Sequence, residues 1–371
     1  MRWRAISGRQ RGDDARAEQR PVELTTYPED FSMGYKVLVL ISRMQEYRLD
    51  NHSLIPNGLL RCGQEVHVAD IETLGISAGT VMCDMFRLDR EYNQGVPFPD
   101  MKLTRRSAED FELVWLLTSP HPNLFLDTYQ LLWVLNQRVP FVNDASAVLF
   151  LNSKNCLPAA IDPEHLPTSY VSNSFDELNS VVTESADRSW ILKPGNEGCG
   201  ADIYFVNARE KNFRALLQSA TGNEVSRYEN YGRQSVGLSS KYVTMQEYIP
   251  TVPDNEKRVL LAGGVPVCGF RRYHNDDDHR ANATLGNKFS ELVLTPDEDA
   301  FCRALGKSLM SQGIYFAGVD LAYPYVLELN LENPGAINWT IRSTGVDKTP
   351  EVVEHLLTAL ERDGRLKGRS I

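Results

Sequence analysis

Cysteine is sparse in this chain, with six residues in 371, scattered and without a Cys-x-x-Cys pair. In a chain long enough to bury its own core, that usage excludes a disulfide frame and fits free thiols in a reducing cytoplasm. A basic surplus is also missing. The net charge of -10 argues against a general nucleic-acid binder, while leaving room for a local basic cleft for phosphates. No apolar run approaches the roughly 18 residues needed to span a bilayer, and no segment repeats. Residues 1–33 lack any apolar period. They carry six arginines balanced by six acids, too acidic for a transit peptide and without the apolar stretch of a secretory signal. A flexible tail is expected there, or an extension upstream of a start at Met33.

What is present is ordinary globular composition, 42% hydrophobic and 24% charged, in a length that suggests two or three lobes. From Tyr35 the pattern is α/β. "YKVLVLIS", "EVHVAD", "FELVWLLTS" and "VPFVND" read as strands, with helices at "SLIPNGLLRCG" and "FLDTYQLLWVLNQR". Strands alternating with helices predict a mostly parallel sheet covered on both faces. This lobe spans 34–146. A central unit over 147–245 begins with Ser174 capping a helix, Glu177 completing a capping box. A polar stretch then runs from Asn207 to Lys241. The unit over 246–371 holds the strands "KRVLLAGGVPVCGFRRY" and "GIYFAGVDLAYPYVLELNLENPG", with helices at "PDEDAFCRALGKSLMSQG" and "TPEVVEHLLTALERDG".

Three features carry chemistry. In the run Val326 to Glu332, alternate side chains share a face, so Glu328, Asn330 and Glu332 oppose Leu327, Leu329 and Leu331. The turn at Ala322–Pro324 folds the preceding strand back and sets Asp320 opposite Leu327 or Glu328. Two carboxylates and an amide oxygen are hard ligands suited to Mg²⁺. A half-solvated sheet with one polar face would show the same alternation, but a buried, unpaired Asp320 would be expensive. The second feature is "ILKPGNEGCGAD", where Lys193 leads into Gly195, Gly198 and Gly200. Glycines let backbone N–H groups wrap phosphate oxygens. The loop is neither of the common phosphate-binding motifs, and it joins two strands. Third, Lys257, Arg258, Arg271 and Arg272 fall on neighbouring strands, where they could neutralise a triphosphate or an acyl phosphate.

Together these motifs resemble the ATP-grasp superfamily, and within it the bacterial type of glutathione synthetase, from about Lys36 to the final helix. The resemblance is densest at "NSKN" with Lys154, at the Lys193 loop, at "MQEYIPTVPDNEKRVLLAGGVPV" and at the Asp320–Glu328–Asn330 strands. It implies an N-terminal parallel α/β lobe followed by two α+β subdomains whose antiparallel sheets clamp ATP. Lys154 and Lys193 would contact phosphates, with Gly198 and Gly200 in a closing lid. Gln246, Glu247, Tyr248 and Ile249 would face the adenine, and Glu256 the ribose. Asp320, Glu328 and Asn330 would bind two Mg²⁺ ions, in a site that would also take Mn²⁺. Lys193, Arg258 and Arg272 would carry the phosphoryl transfer. Arg280, Asn282 and Gly335 would meet the acyl substrate. There the chain departs from the family, reading "RANATLGN" for Arg-Gly-Asn and a glycine-rich segment, and Leu331–Gly335 for Thr-Ser-Pro-Thr.

The expected activity is an ADP-forming ligase that joins an amino acid or small peptide to an amine, with a dipeptide or γ-glutamyl-type product. The alternatives are glutathione synthetase itself, joining γ-glutamylcysteine to glycine, and a nucleotide-binding module without turnover. The resemblance further implies small-molecule substrates, no nucleic-acid or membrane partner, a cytoplasmic protein, and a homodimer or homotetramer. The polar insert Ser226–Ser240 reads as a surface loop, "HNDDDH" (His274–His279) as a loop tip, and Cys199 as a small residue in the phosphate loop.

Overall fold

Val37 to Ile41 have almost no exposed surface, which is what a strand covered on both faces requires. In the computed structural model, which describes residues 34–42, 50–91, 102–195, 203–222, 241–273 and 288–367, that run is β1 (Lys36–Ile41). It is followed by α1 (Asn51–Arg61), β2 (Glu65–Asp70), β3 (Gly75–Ser77), β4 (Thr80–Arg87), β5 (Thr104–Ser107), β6 (Leu113–Leu116), α2 (Phe125–Asn136), β7 (Phe141–Val142) and α3 (Ala145–Leu151). Strands β2, β1, β6 and β7 are parallel neighbours, as the alternating pattern predicts. Strands β3 to β5 extend the sheet antiparallel beside β2. Strands β3 and β5 are short and largely exposed, whereas β4 is eight residues long and buries Val81, Cys83 and Met85 on one side.

The second sheet contains β8 (Ser169–Ser172), α4 (Phe175–Glu184), β9 (Ser189–Pro194), β10 (Tyr204–Asn207), α5 (Phe213–Thr221) and β11 (Val243–Glu247), in the strand order β10-β9-β11-β8. All its pairings are antiparallel. Leu178 and Val182 of α4, Trp190 and Leu192 of β9, and Phe213 and Leu217 of α5 form a core of their own. Helix α5 corrects the polar reading of 207–241. Phe213, Leu217 and Thr221 recur every four residues on its buried face, enough to dock a short helix despite polar flanks. At α4 the capping box is only half made. Ser174 Oγ accepts from the Glu177 N–H, but the Glu177 carboxylate takes its bond from Ser172 Oγ, 2.6 Å away.

The third sheet is antiparallel, with the order β14-β13-β12-β15-β16. Its elements are β12 (Lys257–Ala262), β13 (Val265–Arg272), β14 (Phe289–Glu291), α6 (Pro296–Ser311), β15 (Phe316–Ala322), β16 (Tyr325–Asn330), α7 (Ile337–Thr344) and α8 (Thr349–Arg362). A reciprocal capping box does close here, between Thr295 and Glu298. The first and third sheets share their cores. One cluster holds Leu38, Leu40, Val259 and Leu261; the other holds Val37, Val39, Leu260 and Ala262. Asn143 stitches the two sheets together, with its side chain bonded to the backbone N–H groups of Tyr315 and Phe316 and to the carbonyls of Phe316 and Leu331.

Candidate nucleotide and metal site

The turn between β15 and β16 does what the alternation predicts. Asp320 pairs with Glu328, and Gly318 with Asn330, on adjacent strands. On its other side Asp320 faces Arg258 of β12. The Arg258 guanidinium grips both carboxylate oxygens, Nε to Oδ1 at 2.5 Å and Nη2 to Oδ2 at 2.8 Å, and sends Nη1 to the Pro334 carbonyl at 2.7 Å. Arg272 adds a second contact, Nη1 lying 3.2 Å from Asp320 Oδ2 and 2.5 Å from Glu256 Oε1. Burial would raise the Asp320 pKa, but the two guanidinium groups outweigh it and hold the carboxyl down at about 2. Asp320 is therefore an anion at any physiological pH.

Two lysines come to the same face. Lys154 is buried, with Nζ 3.1 Å from Glu328 Oε1. Lys193 on β9 donates to Gln246 Oε1 at 2.7 Å. Burial, reinforced by the neighbouring Lys154 charge, lowers the Lys193 pKa against the pull of Glu328. Two cations crowded in this way suit a polyanion better than they suit each other. The phosphate-loop stem is tied to Lys154 through the Gly195 carbonyl, which accepts from Lys154 N–H at 3.0 Å and Ser153 Oγ at 3.2 Å. A Cβ on Gly195 would stand 2.4 Å from Asn155 Nδ2, so any larger residue would have to displace the Asn155 amide, whose Oδ1 accepts from Thr244 Oγ1 at 2.7 Å.

The remaining expectations divide. Glu256, expected at a ribose, is buried and its carboxylate accepts from Arg272, so in this structure it orients that guanidinium. The N–H groups of Glu247 and Tyr248 are bonded to the Thr168 and Ser189 carbonyls, so neither donor is available to an adenine; Ile249 lies two residues past the end of β11. Gly335 lies against α1, where its carbonyl accepts from Asn51 Nδ2 at 3.2 Å. Gly198, Cys199, Gly200, Ser226–Ser240, His274–His279, Arg280 and Asn282 lie outside the described residues.

The donor set can be tested against Mg²⁺. Among the described residues no group of three His, Cys, Asp or Glu side chains forms a metal cluster. Two carboxylates and one amide are what Asp320, Glu328 and Asn330 supply. All offer hard oxygen, and the side-chain nitrogen of Asn330 is buried without a hydrogen-bond partner. An amide turned to present its oxygen there, beside paired carboxylates, fits an ion that completes its shell with water and phosphate. The Nε of Arg272 is likewise buried and unpartnered, a spare donor beside the same face.

Sequence reasoning left several neighbours unassigned. Glu332 accepts from Ser119 Oγ and from Tyr129 Oη, the latter at 2.5 Å. Burial and the Glu332 charge push the Tyr129 pKa up, so its hydroxyl stays a donor. Asn152 Oδ1 accepts from the Leu331 N–H at 3.0 Å. The alternation in β16 points to Glu332; nothing in the sequence points to its partners, some 200 residues earlier.

Comparison with known proteins agrees with this geometry. Residues 157–345, just over half of the chain, match the family described as prokaryotic glutathione synthetase, ATP-grasp domain. The glutathione synthetase of Nostoc sp. (strain PCC 7120) is 25% identical over 250 residues, 67% of this chain and 71% of that one. That of Synechococcus elongatus is 25% identical over 309 residues, 80% and 90% of the two chains. Among solved structures, D-cycloserine synthetase DcsG superposes with a TM-score of 0.57 at 16% identity, covering 87% of this chain and 99% of that one. The ATP-grasp ligase PsnB, complexed with minimal precursor, Mg and ADP, gives 0.54 at 16% identity, over 88% and 98%. Both share the ATP-grasp fold. With the family's domain spanning the Lys193 strand, the Arg258 strand and the Asp320–Asn330 hairpin, the chain belongs to the prokaryotic glutathione synthetase ATP-grasp family.

Proposed function

We propose that this protein joins γ-glutamylcysteine to glycine, forming an amide at the expense of ATP. As a member of its family it is an ATP-grasp carboxylate–amine ligase that forms ADP. The relatives favour the glutathione pair over the broader amino-acid or dipeptide reading of the sequence. The observation that carries the chemistry is the array Glu256–Arg272–Asp320–Arg258 beside Glu328 and Asn330, with Arg272 Nε and Asn330 Nδ2 both buried and unpartnered. A finished structural network would leave neither. The completeness of that array argues against a module that binds nucleotide without turnover.

A carboxylate is a poor acylating agent because its leaving group would be oxide. Moving the γ-phosphoryl group of ATP onto the acid's carboxylate makes an acyl phosphate and releases ADP. The amine, having lost a proton, then attacks the carbonyl carbon; the C–N bond forms and phosphate leaves. Lys154 and Lys193 would hold the triphosphate, and positioning with charge neutralisation supplies most of the catalysis. The two arginines divide the remaining work. Arg258, with its donors on Asp320 and Pro334, fixes the carboxylate. Arg272, oriented by Glu256, has the spare Nε for charge on the transferring group and on the tetrahedral oxyanion. Asp320, Glu328 and Asn330 would hold Mg²⁺, two ions in this reading, which when bound neutralises phosphate charge.

The departure at Leu331–Gly335 favours a second reading, a ligase of the same mechanism acting on another acid. Both are tested by ADP release with Mg-ATP, γ-glutamylcysteine and glycine, with the product mass measured. Rapid turnover to glutathione is expected. Silence with that pair, but turnover with other amino acids or small peptides as acyl donors, would transfer the protein to the second reading.

A further inference from the structure

We infer that Asn51, at the start of α1, is a positioning residue for Arg258, acting through the Pro334–Gly335 turn. This rests on the reading of Arg258 as the group that fixes Asp320 for phosphoryl transfer. Two of the Arg258 donors lie on Asp320, and the third holds the Pro334 carbonyl. Among the described residues the turn is thus the one side-chain hydrogen-bond partner of Arg258 other than the carboxylate it serves.

That turn is held from the far side by consecutive residues. Asn51 Nδ2 donates to the Gly335 carbonyl at 3.2 Å, and Asn333 Nδ2 donates to Asp50 Oδ2 at 3.3 Å. Its backbone requires holding. Gly335 has φ +65° and Ala336, which bears a side chain, has φ +74°. A left-handed alanine persists only where its surroundings over-determine it. A path of three hydrogen-bonded steps therefore runs from α1 to the catalytic face: Asn51 to Gly335, Pro334 to Arg258, Arg258 to Asp320.

The hydrogen-bond count of Asn51 separates this role from simple stitching. Asn143, buried between the same two sheets, uses both ends of its amide in four bonds to backbone. Asn51 is wholly buried, yet its Oδ1 has no partner. A buried acceptor left unpaired is unfavourable, so the amide is retained for its donor, and that donor points only to the turn behind Arg258.

The test is a double-mutant cycle on kcat with Asn51→Ala, Arg258→Lys and the double variant, using the wild type's own acid–amine pair. Asn51→Ala should lower kcat about tenfold, as expected of a small displacement of a catalytic group. KM for ATP, which Lys154 and Lys193 would set, should stay within about twofold. The double variant should be no slower than Arg258→Lys alone, because the two residues act through one contact. Losses that multiply would overturn the inference, and so would wild-type kcat in Asn51→Ala. If that variant does not fold, Asn51→Leu, which is close to Asn in size and lacks the donor without adding a charge, carries the same expectation. Absence of turnover by the wild type with every pair would overturn the ligase reading and this inference together; wild-type turnover with multiplying losses overturns the inference alone.

Discussion

His67 on β2 is the kind of side chain whose chemistry lies wholly in its surroundings. It is buried against Phe111, with the ring centroids 5.1 Å apart, and its Nδ1 lies 3.7 Å from Glu65 Oε1. Burial, helped by the positive charges of Lys36, Arg106 and Arg87, drops its pKa from 6.5 to about 4. Between those values the unfolded chain binds a proton that the folded protein refuses. Stability therefore falls as pH drops from 6.5 toward 4, by an amount on the order of 2 kcal/mol. The urea midpoint should fall between pH 7 and pH 5 in the wild type and much less in His67→Gln. Equal slopes in the two proteins would remove His67 as the cause.

At the scale of elements, the β12–β15–β16 ladder is where strand pairing becomes chemistry. Gly318 lies opposite Asn330 on one neighbour and Leu260 on the other. A Cβ there would stand 2.7 Å from Pro334 Cβ and 3.2 Å from Arg258 Cδ. Gly318→Ala should therefore displace the turn and the arginine together. The expected cost is about 1–3 kcal/mol, typical of overpacking, with a loss of kcat that a stability loss alone would not produce at 25 °C. Turnover measured beside a urea melt decides it; a variant that is destabilised but fully active would show that the turn yields without moving Arg258.

Across the whole molecule, the first and third sheets behave as one packed body, while the second keeps a separate core. Asn143 is a buried polar tie within that body. Its two bonds to Phe316 and its bonds to Tyr315 and Leu331 satisfy backbone groups that no water reaches. Asn143→Ala would leave them unpaired, at a cost of about 3 kcal/mol or more. Urea denaturation should show one transition for this body, shifted to lower midpoint. A midpoint within error of the wild type would mean that the Asn143 bonds do not hold the two sheets together.

What the sequence alone determined lies close together along the chain. That Asp320 would lie opposite Leu327 or Glu328 followed from alternation and a turn within a few residues, because strand parity is a local property, while the register shift beside Asp320 is what selects Glu328. The strands β1, β2, β6 and β7 and the helices α1, α2, α6 and α8 were legible from apolar period and stop signals. Helix α5 was not, since its buried face needs only Phe213, Leu217 and Thr221. The capping box expected at Ser174 went half unmade because Ser172, two residues earlier, competes for Glu177. Only the tertiary structure decided that Glu256 serves Arg272, that Glu332 meets Ser119 and Tyr129, and that Asn51 reaches Gly335 across 284 positions. Such contacts depend on how sheets stack, and a hydrogen bond between residues so far apart leaves no periodic trace in the chain that makes it.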